Sequence, residues 1–178
     1  MKNSGLQIQR YEELPAACHE YDVRAPEVAV RVAAAIEQRL PAVRVEHIGS
    51  TAIPGCAGKG VIDLMALYPH GQLEAVKDLL DQLGFQRQST RDPWPESRPM
   101  RLGAIEHDGT LFRLHVHVVA ADSDEVPMVR AFRDRLRGDA SLLAEYVARK
   151  RVILAAGVTD TVDYSLAKSD FISGALAP

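Results

Sequence analysis

Apolar and polar positions follow two rhythms along this chain, one of period two and one of helical period, and together they divide it into elements. Leu6 and Ile8 alternate with Gln7 and Gln9, which predicts a short edge strand or an extended arm. Pro26 then stands at a first-turn position, and Val28, Val32, Ala35, Ile36 and Leu40 follow at helical spacing until Pro41 ends the run. Val43 to Ile48 reads as a strand that stops at Gly49-Ser50-Thr51. Between Gly49 and Gly60 the chain holds four glycines and one proline, so this stretch is a loop with unusual backbone freedom. Val61 to Leu67 is apolar on both faces apart from Asp63, the pattern of a central strand. Leu73 to Leu83 repeats as an amphipathic helix, with Gly84 placed to terminate it.

Arg91 to Pro99 contains three prolines and reads as an irregular surface loop. Met100–His107 and Thr110–Val119 flank Asp108-Gly109, a two-residue hairpin signal. From Pro127 onward the rhythm is helical, over roughly 126–137, 139–156 and 161–174, and Asp139 is placed to cap the second of these helices. No repeat is visible, nor any linker long enough to separate two domains. The pattern predicts one domain of mixed α and β structure.

The hairpin makes the sharpest geometric statement. Phe112, Leu114, Val116 and Val118 point to one face of strand 110–119, and Arg113, His115 and His117 to the other. A two-residue turn sets Leu102 across from His115 and Met100 across from His117. Two imidazoles about 7 Å apart along a strand can share a ligand or a metal ion; they can equally line the solvated side of a sheet.

A second cluster is Glu46-His47-Ile48-Gly49-Ser50-Thr51-Ala52-Ile53-Pro54-Gly55. A strand that runs into Gly-Ser-Thr exposes backbone N–H groups and two hydroxyls at one point, which suits phosphate oxygens. The residue order of a P-loop is absent, and a purely structural turn also explains the triplet. Lys59 and Asp63 sharpen the picture, because a carboxylate within an apolar strand is costly unless it is paired or binds a metal. Its partner is either Lys59 or a nearby arginine, or else Asp63 joins His115 or His117 around a divalent cation. Such a donor set suits a transition metal better than magnesium. The third cluster is basic: Arg130, Arg133 and Arg137 share a helix face, and Arg149, Lys150 and Arg151 follow. A solvated helix face is its ordinary explanation. Tyr164 and Lys168 lie one helical turn apart.

Composition narrows the classes. With 178 residues, 47% hydrophobic and 25% charged, the chain is neither disordered, collagen-like nor a disulfide scaffold. The total charge of −3 is unevenly spread, since residues 127–156 carry seven Lys+Arg against three Asp+Glu. That distribution is compatible with one local site for a phosphate-bearing ligand and fits a nucleic-acid-coating protein poorly. Cys18 and Cys56 alone cannot supply a cysteine-only zinc site and fit a reducing compartment. The absence of a signal-peptide core, or of a run near ~18 apolar residues, points to a cytoplasmic protein without a membrane span.

Taken together, these segments resemble the GrpB family, whose members adopt a nucleotidyltransferase-like fold. The resemblance rests on Glu46-His-Ile-Gly-Ser-Thr-Ala-Ile-Pro-Gly55, on Lys59 with Ile62-Asp63, and on His115-Val-His117-Val-Val119. It continues through Ala131-Phe-Arg-Asp-Arg-Leu-Arg137, Glu145-Tyr146 with Lys150-Arg151, and Tyr164 with Lys168, and so spans about residues 44–172. It implies an α+β fold: a central mixed β-sheet flanked by helices, a helical C-terminal third, and an N-terminal segment 1–40 that packs onto it within a single domain, 1–178. Gly49-Ser50 would sit where nucleotidyltransferases hold the triphosphate, and Asp63 where their first metal carboxylate stands. The second carboxylate position is Met65, whose thioether cannot replace a hard oxygen ligand. In place of a third carboxylate on a later strand the chain offers His115 and His117, so a paired-magnesium mechanism is poorly supported. Gly60 stands where family members generally have proline. Related domains are also found fused behind dephospho-coenzyme A kinase, where the family is described as a folding accessory.

Two functions follow from this reading. In the first, the protein binds a nucleotide or another phosphate-bearing small molecule, with a divalent metal ion as an optional cofactor. The phosphate set is His47, Gly49, Ser50, Thr51, Lys59, Arg133 and Lys168, with Arg113 adding a charge-assisted contact. Asp63, His115 and His117 are the metal ligands and the catalytic residues of any nucleotidyl or phosphoryl transfer, a histidine serving as base. In the second, the chain is a non-catalytic folding-accessory or protein-interaction domain, and the surface around Arg130, Arg133 and Arg137 matters more than a cleft. RNA or DNA binding through that surface fits the acidic total and 6% aromatic content least well. The first reading predicts that Ser50, Lys59, Asp63, Arg113, His115 and His117 line one cleft.

Overall fold

Helix α1 (Ala25–Glu37) carries its proline in the first turn, where no helical N–H is lost, and buries Val28, Ala29, Val32 and Ile36. On the same side of the sheet, α2 (Leu73–Leu83) buries Val76, Leu79 and Leu80 and ends on left-handed Gly84. Both helices cover one face of a five-stranded sheet in the order β1-β2-β5-β4-β3. The strands are β1 (Arg44–Ile48), β2 (Val61–Tyr68), β3 (Gln86–Arg87), β4 (Met100–His107) and β5 (Thr110–Ala120). The sheet is mixed: β2 and β5 run parallel, and the other neighbours are antiparallel. This is the computed structural model of the chain, and it describes residues 6–176. Residues 1–5 of the segment expected to pack onto the sheet lie outside the described residues.

Alternation along the strands decides what each face can do. Ile62, Leu64 and Ala66 of β2, with Leu114, Val116 and Val118 of β5, point into the main core under α1 and α2. The other face carries Asp63, Met65 and Leu67, and beside them His115 and His117. Helix α3 (Glu125–Gly138) covers only part of it, where Ile48, Met65, Leu67 and Val119 meet Val126. The apolar character of both sides of β2, broken only at Asp63, follows from this partial cover. The hairpin register is as the turn requires, with Leu102 opposite His115 and Met100 opposite His117.

The N-terminal arm makes a single antiparallel bridge, Gln9 to Ala104, rather than a ladder. It can cross β4 because residue 103 is glycine: a Cβ there would lie 2.6 Å from Ile8 Cγ2 and 2.8 Å from Phe85 Cδ1. The C-terminal third is helical, with α4 (Ala140–Ala155) capped by Asp139, whose carboxylate accepts from the Leu142 amide. One helix was expected over 161–174, but two form, α5 (Thr161–Ala167) and α6 (Ser169–Leu176). The break falls where the Ser169 hydroxyl donates to the Leu166 carbonyl at 2.7 Å, competing for an acceptor that a continuous helix would use. No described helix is long and apolar enough to cross a membrane.

Candidate functional site

The parallel register of β2 and β5 pairs Asp63 with His115 and Met65 with His117, so the carboxylate stands between the two imidazoles. Asp63 Oδ1 lies 3.3 Å from His115 Nδ1 and 3.5 Å from His117 Nε2. Burial alone would raise the Asp63 pKa; hydrogen bonds to both histidines, and their charge, overcome that and hold the carboxyl far below its ordinary range. His115 is pushed down by burial against the pull of Asp63.

Each imidazole has a second partner. His115 Nε2 is 3.0 Å from the Tyr11 hydroxyl, brought there by the arm that passes over Gly103. His117 Nδ1 accepts from Arg98 at 3.3 Å. Arg98 in turn pairs with Glu125 at the start of α3. A guanidinium can only donate, so His117 Nδ1 is the bare nitrogen and Nε2 carries the hydrogen toward Asp63. A tyrosine hydroxyl both donates and accepts, so Tyr11 tolerates either tautomer of His115.

Above Asp63 the chain turns tightly. Gly49 has φ 71° and ψ −171°, a conformation essentially reserved for glycine, and a Cβ there would lie 2.5 Å from Asp63 Oδ2. The next residue, Ser50, opens a short 3-10 turn over Ser50–Ala52. Lys150 supports this turn from below. Its Nζ donates to Ser50 Oγ at 3.2 Å, to Cys56 Sγ at 3.3 Å and to the Ala57 carbonyl, and lies 4.4 Å from the Tyr146 ring centre. Far from standing on a solvated face, Lys150 is 1% exposed.

Lys59 and Lys168 come together on the remaining wall, their Nζ atoms 5.7 Å and 4.5 Å from the ring centre of Tyr164. Burial lowers the pKa of both, and it brings Lys168, which also feels Lys59, down to about 8. The Tyr164 hydroxyl is buried with no hydrogen-bond partner among the described residues. These groups surround a cavity of about 570 Å³, lined among others by Ser50, Lys59, Asp63, His115, His117 and Lys168. A second, mainly apolar cavity of about 490 Å³ shares Gly49, Asp63 and His117 with it and runs between α3 and α6.

Five of the six residues expected in one cleft therefore line it. Arg113 does not: its guanidinium donates to the Lys59 carbonyl at 2.9 Å and braces the loop from behind. Thr51 is also turned away, donating to the Val61 carbonyl at 3.3 Å and meeting His47 Nε2 at 2.9 Å. His47, pushed down to about 4 by burial although Asp63 pulls the other way, stands behind the turn. The expected solvated face of α3 is instead a clamp on β1 and the turn. Arg130 pairs with Glu46, Arg133 with Glu46, Asp134 and the His47 carbonyl, and Arg137 with the Ala52 carbonyl. Arg133 thus reaches the second cavity, not the first.

The sequence reading singles out none of Tyr11, Trp94 and Arg98 as site residues. Gly103, a lone glycine within a strand, is the signal that another chain segment passes there and delivers Tyr11. Arg98 and Trp94 lie in the proline-rich loop read as mere surface, and nothing in their spacing marks them.

The cluster also tests which metal the residues fit. Ligand atoms of Asp63, His115 and His117 lie within 4.8 Å of one another. The magnesium pair of nucleotidyltransferases does not fit, because Met65 is fully buried in an apolar cluster where a second carboxylate would be needed. Two imidazoles and one carboxylate fit a single transition-metal ion, with Tyr11 orienting His115 from behind.

Comparison with known proteins agrees with this architecture. The sequence model described as GrpB protein matches residues 15–177. A UPF0157 protein of Streptomyces coelicolor is 35% identical over 162 residues, 90% of this chain and 82% of its own length. Another, from Pseudomonas aeruginosa, is 30% identical over 96% of this chain and 68% of its own. Among solved structures, the conserved protein GrpB from Enterococcus faecalis superposes with a TM-score of 0.66 at 25% identity, over 89% of this chain and 94% of that one. The GLD-2/RNP-8 complex structure shares the fold at TM-score 0.51 and 11% identity, over 74% of this chain and 54% of that one. The chain has the expected nucleotidyltransferase-like fold.

Proposed function

The chain belongs to the GrpB family, and from that membership and the chemistry of its cleft we infer that it binds a nucleotide or another phosphate-bearing small molecule. The observation that carries this reading is the convergence of Lys59 and Lys168 over the Tyr164 ring in one cavity, whose lining also holds the carboxylates of Glu13, Asp63 and Asp92. Two ammonium groups held partly out of water are stabilised most by an anion that displaces the solvent around them. Ser50 and the backbone of the Gly49 turn add neutral hydrogen-bonding groups beside them. Lys150, Arg113, Thr51 and Arg133 contribute by fixing the turn and the Lys59 loop, not by touching the ligand.

Asp63, His115 and His117 would hold one transition-metal ion, which would supply positive charge for phosphate oxygens at the strand end of the cavity. His115 keeps its outer nitrogen on Tyr11 in that role, and His117 has to exchange its hydrogen with the nitrogen now facing Arg98. Buried Met65 favours binding over the paired-metal chemistry of nucleotidyltransferases; any phosphoryl or nucleotidyl transfer would depend on Asp63, His115 and His117 alone.

Calorimetry with a panel of nucleotides, with and without Mg2+, Mn2+ or Zn2+, tests the reading. Saturable heat that is lost in Lys59→Ala and Asp63→Asn is expected. No heat with any nucleotide, together with an Asp63→Asn variant altered only in stability, would sink it and leave an accessory role.

A further inference from the structure

The loop between β3 and β4 brings to the cavity a side chain that neither the phosphate set nor the metal set uses. Trp94, the only tryptophan of the chain, lines the cavity between Pro93 and Pro95. It is 46% exposed, an unusual state for the largest side chain a protein has. Yet the indole is not loosely placed. The Trp94 backbone amide donates to Gln88 Oε1 at 2.9 Å, and the ring meets His117 edge to face at 6.4 Å between centres. The Arg98 guanidinium sits 4.2 Å from its ring centre, and Glu125 holds that guanidinium in turn.

One side of the indole is thus occupied by a cation, the ring is set against the imidazole that reaches Asp63, and a flat aromatic surface is left open. Prolines on both sides restrict the backbone that carries it. A preorganised aromatic plane at a polar cavity binds another aromatic plane, because stacking requires no hydrogen-bond code and the ring has little freedom left to lose. Lys59 and Lys168 line the same cavity and call for an anion. A ligand that answers both demands carries phosphate at one end and a planar heterocycle at the other. The volume of about 570 Å³ is within the usual range for small-molecule sites.

We propose that Trp94 is the stacking platform for the base of a nucleoside phosphate whose phosphates lie toward Lys59 and Lys168. The assignment rests on the reading of this cavity as a phosphate site and narrows the ligand from any phosphate-bearing molecule to one with an aromatic base. Arg98 on the indole continues the stack as a cation–π contact.

Because Trp94 is the sole indole, its fluorescence reports on this contact directly. Nucleoside triphosphates and inorganic tripolyphosphate are titrated into the intact protein, with fluorescence and calorimetry read in parallel. Nucleoside triphosphates are expected to quench Trp94, and tripolyphosphate to bind more weakly without that quenching. Trp94→Ala should weaken the nucleoside triphosphate about tenfold or more and leave tripolyphosphate unchanged. Trp94→Phe, which keeps a stacking ring, should recover most of the affinity. Equal affinity of Trp94→Ala and the parent protein for nucleoside triphosphates, or equal weakening for both probes, would overturn the platform while the phosphate site stands. Failure of both probes to bind the parent protein would overturn the phosphate site and the platform together.

Discussion

Gly49 offers the most direct test of how the turn and the carboxylate depend on each other. In Gly49→Ala the new Cβ would stand 2.5 Å from Asp63 Oδ2 and 3.1 Å from its Cγ, and the backbone is in a region that alanine scarcely populates. The conformation alone costs about 1–3 kcal/mol. Relief of the contact requires Asp63 to withdraw, which gives up its bonds to His115 and His117, roughly another 1.5–3 kcal/mol for charge-assisted hydrogen bonds. Gly55 is the internal control: its φ is 78°, but a Cβ there meets nothing within 4 Å, so Gly55→Ala pays for conformation only. Denaturant unfolding should therefore show Gly55→Ala less stable by about 1–2 kcal/mol and Gly49→Ala by about 2.5–6 kcal/mol. In the double variant with Asp63→Ala the colliding carboxylate is gone, and the two changes should cost about 1–3 kcal/mol less than their sum. If Gly49→Ala is no worse than Gly55→Ala, or the two changes are strictly additive, the close packing of the turn on Asp63 is refuted.

Other consequences can be measured as readily. Lys168 has a folded pKa of about 8, below its ordinary value, so the folded state releases its proton first on raising the pH. Stability should rise between about pH 8 and 10.4, and Lys168→Met should abolish that rise; anion affinity should fall over the same interval, as followed by calorimetry. Arg98→Leu removes the donor that opposes a hydrogen on His117 Nδ1, so affinity for Zn2+ or Co2+ should increase by about tenfold, read by competition with a chromophoric chelator; unchanged affinity would remove Arg98 from the site. Lys150→Ala leaves the Ala57 carbonyl and Ser50 hydroxyl unpaired beneath the turn and should cost about 2–4 kcal/mol, whereas the neighbouring Arg151→Ala, on an exposed ion pair with Glu20, should shift the unfolding midpoint little.

What could be read from the chain follows from how local each signal is. The hairpin at Asp108-Gly109 fixes its own register, so the common face of His115 and His117 was legible from turn length and alternation alone. Asp63 betrayed itself as the one polar residue in an apolar strand. Lys150 did not, because a lysine between two arginines looks like a solvated face, and only the fold shows the loop above it that accepts its hydrogen bonds. The three arginines of α3 share a face as their spacing requires, but that face meets Glu46 and two carbonyls supplied from over eighty residues away, which periodicity cannot foresee. Trp94 and Arg98 act through a loop whose path is set by β3, β4 and α3 together, and no local pattern encodes that path.

The passage of the N-terminal arm over Gly103 bears on when this cleft comes into being as the chain folds. Tyr11 and His115 are separated by 104 positions, and Lys150 and Ser50 by 100, so both ends of the chain must dock before the cavity is complete. The hairpin of β4 and β5 closes over a short loop at little cost in chain entropy; the arm loses much more for one bridge and the two hydrogen bonds of Tyr11. Formation of the sheet and completion of the site are thereby separable in time, and the arm is the segment most readily released from the native state. Native-state hydrogen exchange should find the Gln9 and Ala104 amides opening well below the free energy that protects β2 and β5. Such opening would carry Tyr11 away from His115 while the sheet stays whole, so the cleft can come apart without the protein unfolding.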